Sequence, residues 1–269
     1  MTELTTTLGE LTLPSPLMTA AGCGGAGPEL ARFTDLTALG AFVTRTITRD
    51  PRPGAAPPRV VETPGGVLWA GDGQNPGLQA MLTSELPWLA QHGVRVVASI
   101  AASTLGEYGE LARRLGESAG VVAVEVDLGD TEPYPAGKAL SVVRRDLPRG
   151  VALLAKTGAD GALDLARAAV EAGADAVVVG HGPAGFASVT GRLGGPAVRA
   201  AALHRVRQVH EALPDVPVIG VGGIATAADV LAMLAVGASA VQLGTVLLHD
   251  PGAPDRIRTE LAEHAGATH

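Results

Sequence analysis

Residues 123–132 read A-V-E-V-D-L-G-D-T-E, an apolar run that ends in Asp127, with a second carboxylate, Asp130, three positions on. Paired carboxylates can divide acid and base work, because a neighbouring charge or a dry pocket raises the pKa of one of them. The same letters also suit a capped turn, since D-T-E-P is good turn chemistry. Lys156 closes another apolar run and is one of only two lysines in the chain. A desolvated amine there has the chemistry of a Schiff-base nucleophile. His181 ends a third run and suits an acid or a substrate contact. Towards the C-terminus, V-I-G-V-G-G-I-A-T places Gly222 and Gly223, V-Q-L-G-T places Gly244 and Thr245, and G-G-P-A occupies 194–197. Glycines at strand ends let backbone N–H groups approach an anion, although they also turn tight corners. Together they predict a phosphate site, whose owner, cofactor or substrate, the pattern leaves open.

These residues need elements to hold them. Eight short apolar runs recur, at Ser15–Ala20, Ala41–Thr46, Arg95–Ile100, Val121–Val126, Val151–Lys156, Ala174–Val179, Val216–Val221 and Ser239–Leu243. Their Val-rich, non-alternating character is that of parallel strands buried on both faces. Amphipathic segments such as Leu105–Gly116 and Leu163–Ala172 lie between them. One helix is framed by Thr226 and the carboxylate three residues later, and stops at Gly237. Eight such units predict an α/β fold, a (β/α)8 TIM barrel, as a single domain over 1–269. Leu4–Leu13 alternates and predicts a short hairpin closing the barrel bottom. The Pro/Gly-rich stretch Asp50–Gly77 reads as a long loop after the second strand, of the kind that carries function. Chemistry in such barrels sits at the C-terminal strand ends, where Asp127 and Asp130 fall.

Composition narrows the function. The chain has 269 residues, is 46% hydrophobic and carries a net charge of −7 with 3% aromatics, which disfavours nucleic acid. No apolar run is long enough to span a membrane. The absence of a leader pattern and a single cysteine, Cys23, suggest a cytoplasmic protein. No His/Asp/Glu cluster has metal-ligand spacing, so no metal is expected.

Read with T-A-A-G at 19–22, V-T-R-T-I-T at 43–48, P-P-R-V-V-E-T-P at 57–64 and Q-N-P-G-L at 74–78, these motifs resemble the dihydroorotate dehydrogenase family, class 1 and especially its 1B branch. The likeness runs in order over nearly the whole chain. It implies an FMN-binding barrel, with the flavin phosphate on Gly195, Gly222, Gly223, Gly244 and Thr245. It places Ala20, Gly22 and Lys156 against the flavin, with Arg45 and Thr46 where the family has Lys-Ser and Ser99 where it has asparagine. The departures fall in the substrate half. The family's Asn-x-Ser-Cys-Pro-Asn becomes Asp127-Leu128-Gly129-Asp130-Thr131-Glu132, so the cysteine base and both asparagines are gone. Upstream, Trp69, Asp72 and Asn75 fall in the altered substrate loop, and His181-Gly182 replaces an asparagine-threonine pair.

The resemblance therefore implies an FMN-dependent oxidoreductase acting on a small unsaturated or dihydro substrate other than dihydroorotate. Asp130 is the expected proton-transfer residue, tuned by Asp127 or His181, with Trp69, Asp72, Asn75 and His181 around the substrate. The acids Asp72, Asp127, Asp130 and Glu132 suit a neutral or cationic ligand. One alternative is a lyase, aldolase or isomerase using Lys156 and Asp130 without flavin. Another is a catalytically silent partner subunit. A homodimer is expected, and the 1B likeness adds an electron-transfer partner subunit bringing its own cluster.

Overall fold

The structure, a computed structural model, describes residues 5–71, 73–129 and 131–267. Eight parallel strands form one sheet: β1 Leu17–Thr19, β2 Phe42–Val43, β3 Val96–Ile100, β4 Val121–Gly129, β5 Ala152–Thr157, β6 Ala176–Val179, β7 Val218–Val221 and β8 Ala238–Leu243. Neighbours in sequence are neighbours in space, β8 returns to β1, and a parallel bridge between Met18 and Ala41 joins β1 to β2 and closes the ring. Each strand falls on one of the eight apolar runs. The fold is the expected (β/α)8 barrel.

Side chains of a strand alternate between its faces. Here one face packs on the helices and the other fills the barrel. Met18, Val43, Val97, Ala123, Leu154, Val178, Ile219 and Ala240, one from each strand, belong to a single buried cluster in the interior. Leu8 and Leu13, from an antiparallel hairpin of Thr6–Leu8 and Leu11–Leu13, are fully buried in the same cluster. That hairpin is the plug the alternating N-terminal pattern predicted.

The helices start and stop where their caps dictate. Thr104 accepts a hydrogen bond from Glu107 N at 3.2 Å to begin Leu105–Gly116. Thr226 and Asp229 form a full capping box for Ala227–Ala235, and Gly237 follows with φ +101°. Asp229 is also paired with Arg199, the first residue of the helix Arg199–Ala212, which ties two consecutive units together.

The stretch Asp50–Gly77 is not the structureless loop its composition suggests. Val60–Thr63 and Gly66–Trp69 form a hairpin, and Ala184–Phe186 and Thr190–Gly194 form a second one after β6. The two join through Leu193 opposite Leu68 and Arg192 opposite Trp69 into a four-stranded antiparallel sheet that roofs the barrel mouth. A lone hairpin is marginal in water. These strands owe their order to partners more than a hundred residues away, which local composition does not reveal.

The two hairpins meet on glycine. A methyl group on Gly66 would run into the carbonyl oxygen of Gly194, and one on Gly195 would lie 2.7 Å from Gly66 Cα. Ala197 N also donates to Gly65 O at 3.0 Å. Gly66→Ala is expected to cost about 1–3 kcal/mol, the usual penalty of overpacking. It should lower the denaturation midpoint and expose the 60–69 hairpin to protease. Unchanged melting and cleavage would mean that this contact is slack.

Candidate active site

Two residues beyond the aliphatic layer, the inward positions become Ala20, Arg45, Ser99, Glu125, Lys156, Gly180, Val221 and Gln242. The interior turns polar there. Glu125 and Gln242 are fully buried, and Lys156 is only 5% exposed. Lys156 Nζ lies 3.6 Å from Glu125 Oε1 and 3.4 Å from Gln242 Oε1. Gln242 Nε2 donates across the barrel to Glu125 Oε2 at 2.5 Å. Ser99 Oγ donates to Glu125 Oε1 at 3.4 Å and lies 3.1 Å from Thr46 Oγ1. Thr46 Oγ1 in turn reaches Asp127 Oδ2 at 3.3 Å, while Gly129 N donates to Asp127 Oδ1 at 3.2 Å. The β4–β5 register sets Asp127 beside Lys156.

This network forms the floor of a cavity of about 860 Å³ between the strand ends and the roof. Of the residues singled out from the sequence, Ala20, Gly22, Arg45, Thr46, Trp69, Asp127, Lys156, His181, Gly195, Gly222, Gly223, Gly244 and Thr245 line it. Ser99 sits beneath the floor, fully buried. Asn75 stands apart from the walls. It accepts from Thr48 N and Gly77 N and donates to Gly73 O, so it shapes the loop rather than meeting a ligand. Glu132 is exposed at the start of the helix Pro133–Asp146, away from the cavity. Asp72 and Asp130 lie outside the described residues.

The walls correct the expected charge balance. Among the described residues Asp127 is the one acid on the lining, whereas Arg45, Arg52 and Arg192 line it together with Lys156. Among the described residues the lining thus carries more cations than acids. The residues that sequence reasoning missed are Glu125, Gln242, Arg52 and Arg192. Glu125 had a visible signal, an acid two residues from Asp127 within an otherwise apolar run. The arginines had none, because no local pattern announces the roof strand that carries Arg192.

Protonation follows from this geometry. Burial pushes the Lys156 ammonium towards neutrality, but Glu125 first, then Asp127 and Cys23, outweigh it, and the net direction is upward. A nucleophilic amine needs the opposite shift, so the Schiff-base reading of Lys156 loses its physical basis. Burial pushes the Cys23 thiol up to about 11, with Lys156 opposing. Burial also lowers His181, helped by Lys156 and Arg192 and opposed by Asp127.

The glycines at the other end have mixed causes. Gly195, Gly222 and Gly223 have φ of +95°, +125° and +71°. At Gly223 a methyl would lie 2.6 Å from Arg199 Cβ, so packing alone demands glycine there. Gly244 differs: a methyl would meet nothing closer than Ala20 Cβ at 3.5 Å and Cys23 Sγ at 3.9 Å. Its bareness keeps the cavity open.

The sequence profile of the family described as dihydroorotate dehydrogenase matches residues 3–147 and 167–264. The chain belongs to the dihydroorotate dehydrogenase family. It is similar to the protein named dihydroorotate dehydrogenase B (NAD(+)), catalytic subunit, of Pelobacter propionicus, 37% identical over 95% of this chain and 91% of that one. The protein of the same name from Geobacillus kaustophilus is 38% identical over 93% of this chain and 87% of its own length. The crystal structure of the dihydroorotate dehydrogenase of Eimeria tenella in complex with ferulenol superposes with a TM-score of 0.85 at 18% identity, covering 99% of this chain and 85% of that one. This last likeness speaks to fold alone. Among the described residues no helix is long and apolar enough to cross a membrane.

The enzymes of this family are FMN-dependent oxidoreductases, and the residues present fit that cofactor. The cavity lies within the usual size of ligand pockets, roughly 300–1,000 Å³. Its floor is cationic at Lys156, and one end is bare backbone. One nitrogen of a lining residue, Arg45 Nε, is buried with no hydrogen-bond partner. Such an orphan is costly unless a ligand completes it.

The floor makes a sharp stability forecast. Removing one partner of a buried ion pair costs about 3–5 kcal/mol. Glu125→Gln should lose that much in denaturant unfolding at neutral pH. The folded state favours the Lys156 ammonium, so this contribution is complete below the unfolded value of about 10.4 and is lost as pH rises through the higher folded value. The gap between the two proteins should therefore narrow at strongly alkaline pH. A variant as stable as the parent at neutral pH would refute the pair's role.

Proposed function

We propose that this protein is an FMN-dependent oxidoreductase of the dihydroorotate dehydrogenase family that acts on a small dihydro or unsaturated substrate other than dihydroorotate. The observation that carries the reading is the joint presence of a bare-backbone cradle and a charged lysine floor in one cavity, beside altered substrate-side residues. FMN supplies a two-electron acceptor and donor. Gly195, Gly222, Gly223, Gly244 and Thr245 are assigned to its phosphate. Their backbone N–H groups can donate without side chains in the way, and charge-assisted bonds of this kind are the strong ones. Ala20, Gly22, Arg45, Thr46 and Lys156 are assigned to the ring and ribityl chain, with Ser99 supporting them from below.

Lys156 keeps a fixed positive charge beneath the ligand, because Glu125 and Gln242 hold it. Trp69 and the rest of the roof exclude water, which strengthens every electrostatic contact inside. Asp127, bound to Thr46 and Gly129 N, offers an acid where the family offers asparagine. A site built to hydrogen-bond one planar substrate discriminates strongly once its donors are replaced. That is the support for a changed substrate. Because arginines line the cavity, an anionic group on the substrate is compatible with it. An electron-accepting partner subunit belongs to this reading, on the ground that the similar proteins are named catalytic subunits.

The visible spectrum of the purified protein, after addition of FMN and removal of excess, tests the cofactor. A retained flavin band is expected. Gly244→Asp, which has room for its side chain, should weaken retention by ~tenfold for each 1.4 kcal/mol of repulsion between carboxylate and phosphate. Anaerobic bleaching of that band by a panel of dihydro compounds, with an artificial acceptor in place of the partner, tests the substrate. Dihydroorotate bleaching it fastest would overturn the substrate assignment, and a protein that never holds FMN would overturn the whole reading.

A further inference from the structure

We propose that His181 is the catalytic base of this barrel, taking the proton that the substrate gives up at a carbon next to a carbonyl group. This inference rests on the reading of the cavity as a flavin and substrate site.

Elimination along the walls leads to it. The titratable side chains on the described lining are Cys23, Arg45, Arg52, Asp127, Lys156, His181 and Arg192. Arginine does not deprotonate in proteins. The Cys23 thiol and the Lys156 ammonium are both held protonated at neutral pH, the first by burial and the second by Glu125 and Asp127. Asp127 has both oxygens engaged, one by Thr46 and one by Gly129 N. His181 alone combines a place on the cavity wall with a ring that is neutral near pH 7.

Position supports the same assignment. His181 lies between Gly180 and Gly182, two residues beyond β6. A methyl on Gly180 would strike the carbonyl oxygen of Val221 on β7, and one on Gly182 would strike that of Leu193 in the roof. Leu193 N also donates to Pro183 O at 2.9 Å. The histidine backbone is thus clamped between barrel and roof, the preorganisation that proton transfer requires. The charged groups that act on the ring are Lys156 from β5, Asp127 from β4 and Arg192 from the roof. On protonation the imidazolium gains Asp127 as a counter-charge, while Lys156 and Arg192 limit how long it keeps the proton.

The chemistry balances. In a dehydrogenation two hydrogens leave neighbouring carbons and a carbon–carbon double bond forms. One leaves as a proton, converting imidazole to imidazolium. The other would leave as hydride with its electron pair, for which bound FMN would supply the two-electron acceptor. Solvent then takes the imidazolium proton. A base of this strength matches carbon acids activated by an adjacent carbonyl, which narrows the substrate class accordingly.

The test uses the FMN-loaded protein and the dihydro compound that bleaches its flavin fastest. The bleaching rate should rise with pH through an apparent pKa below 6.5, the ordinary histidine value. His181→Gln should abolish that limb and slow bleaching by on the order of 10²–10⁴-fold, the usual worth of a general base. It should keep the flavin band and the melting temperature, which separates loss of the base from loss of the cofactor site. A limb retained in His181→Gln but lost in Asp130→Asn would overturn the proposal in favour of the aspartate. Histidine-labelled NMR of the holoenzyme reads the same ring without turnover, its signal identified by its absence in His181→Gln. A neutral ring at neutral pH is expected, and a charged one overturns the proposal. Should no compound bleach the flavin, the oxidoreductase reading fails, and the NMR titration still decides the state of His181.

Discussion

A lysine and a glutamate are held together where the barrel stops being oil. Below them lies an apolar inward layer, and above them is a cavity open to ligand. An isolated charge at that boundary would be neutralised or expelled. Lys156 stays charged because Glu125 faces it, while Gln242 bridges the two from across the ring and Ser99 donates to Glu125 from β3. Four strands are pinned by one cluster. Replacing buried ion pairs with hydrocarbon often stabilises a fold, so the pair is poorly explained as a device for stability. It makes sense as a way to present a permanent cation to whatever rests on the floor.

The opposite end of the cavity is organised by the absence of side chains. Gly194 and Gly195 lie so close to Gly66 that neither partner tolerates a methyl group, and a methyl on Gly194 would press on Thr245. The roof hairpin, the turn after the second roof hairpin and the start of the β8 loop therefore share one tight junction. Cradle and roof are built from the same contacts, so the walls that exclude water also shape the place assigned to the phosphate. Function in this barrel follows from a fixed charge below, bare backbone at one end, and a cover stitched to that end.

The barrel was legible because its signal repeats. Eight Val-rich runs at regular spacing leave few other folds, and the capping box at Thr226 and Asp229 marks its helix without help from tertiary contacts. The glycine cradle was legible by position at the ends of β7 and β8. The roof was not, since Gly66–Trp69 is ordered by Thr190–Gly194, which no local pattern announces. Glu125 was hidden for a different reason. A strand read as uniformly apolar gives no cue that its inward face has turned polar, and only counting two residues on from Ala123 and Leu154 shows that Glu125 and Lys156 share a layer. Of the acids, Asp127 lines the cavity and Glu132 stands exposed at the start of a helix, while the arginines that line the cavity come from loops and from the roof.

The central claim is that one cavity holds a flavin through its phosphate as well as its ring. Titrating the apoprotein with FMN and, in parallel, with riboflavin isolates that claim, because the two ligands differ only in the phosphate. Charge-assisted hydrogen bonds contribute about 1.5–3 kcal/mol each, so two or more of them predict an FMN preference of at least ~100-fold. Equal affinity for the two would contradict the account, leaving the glycines as corners of the chain and nothing more.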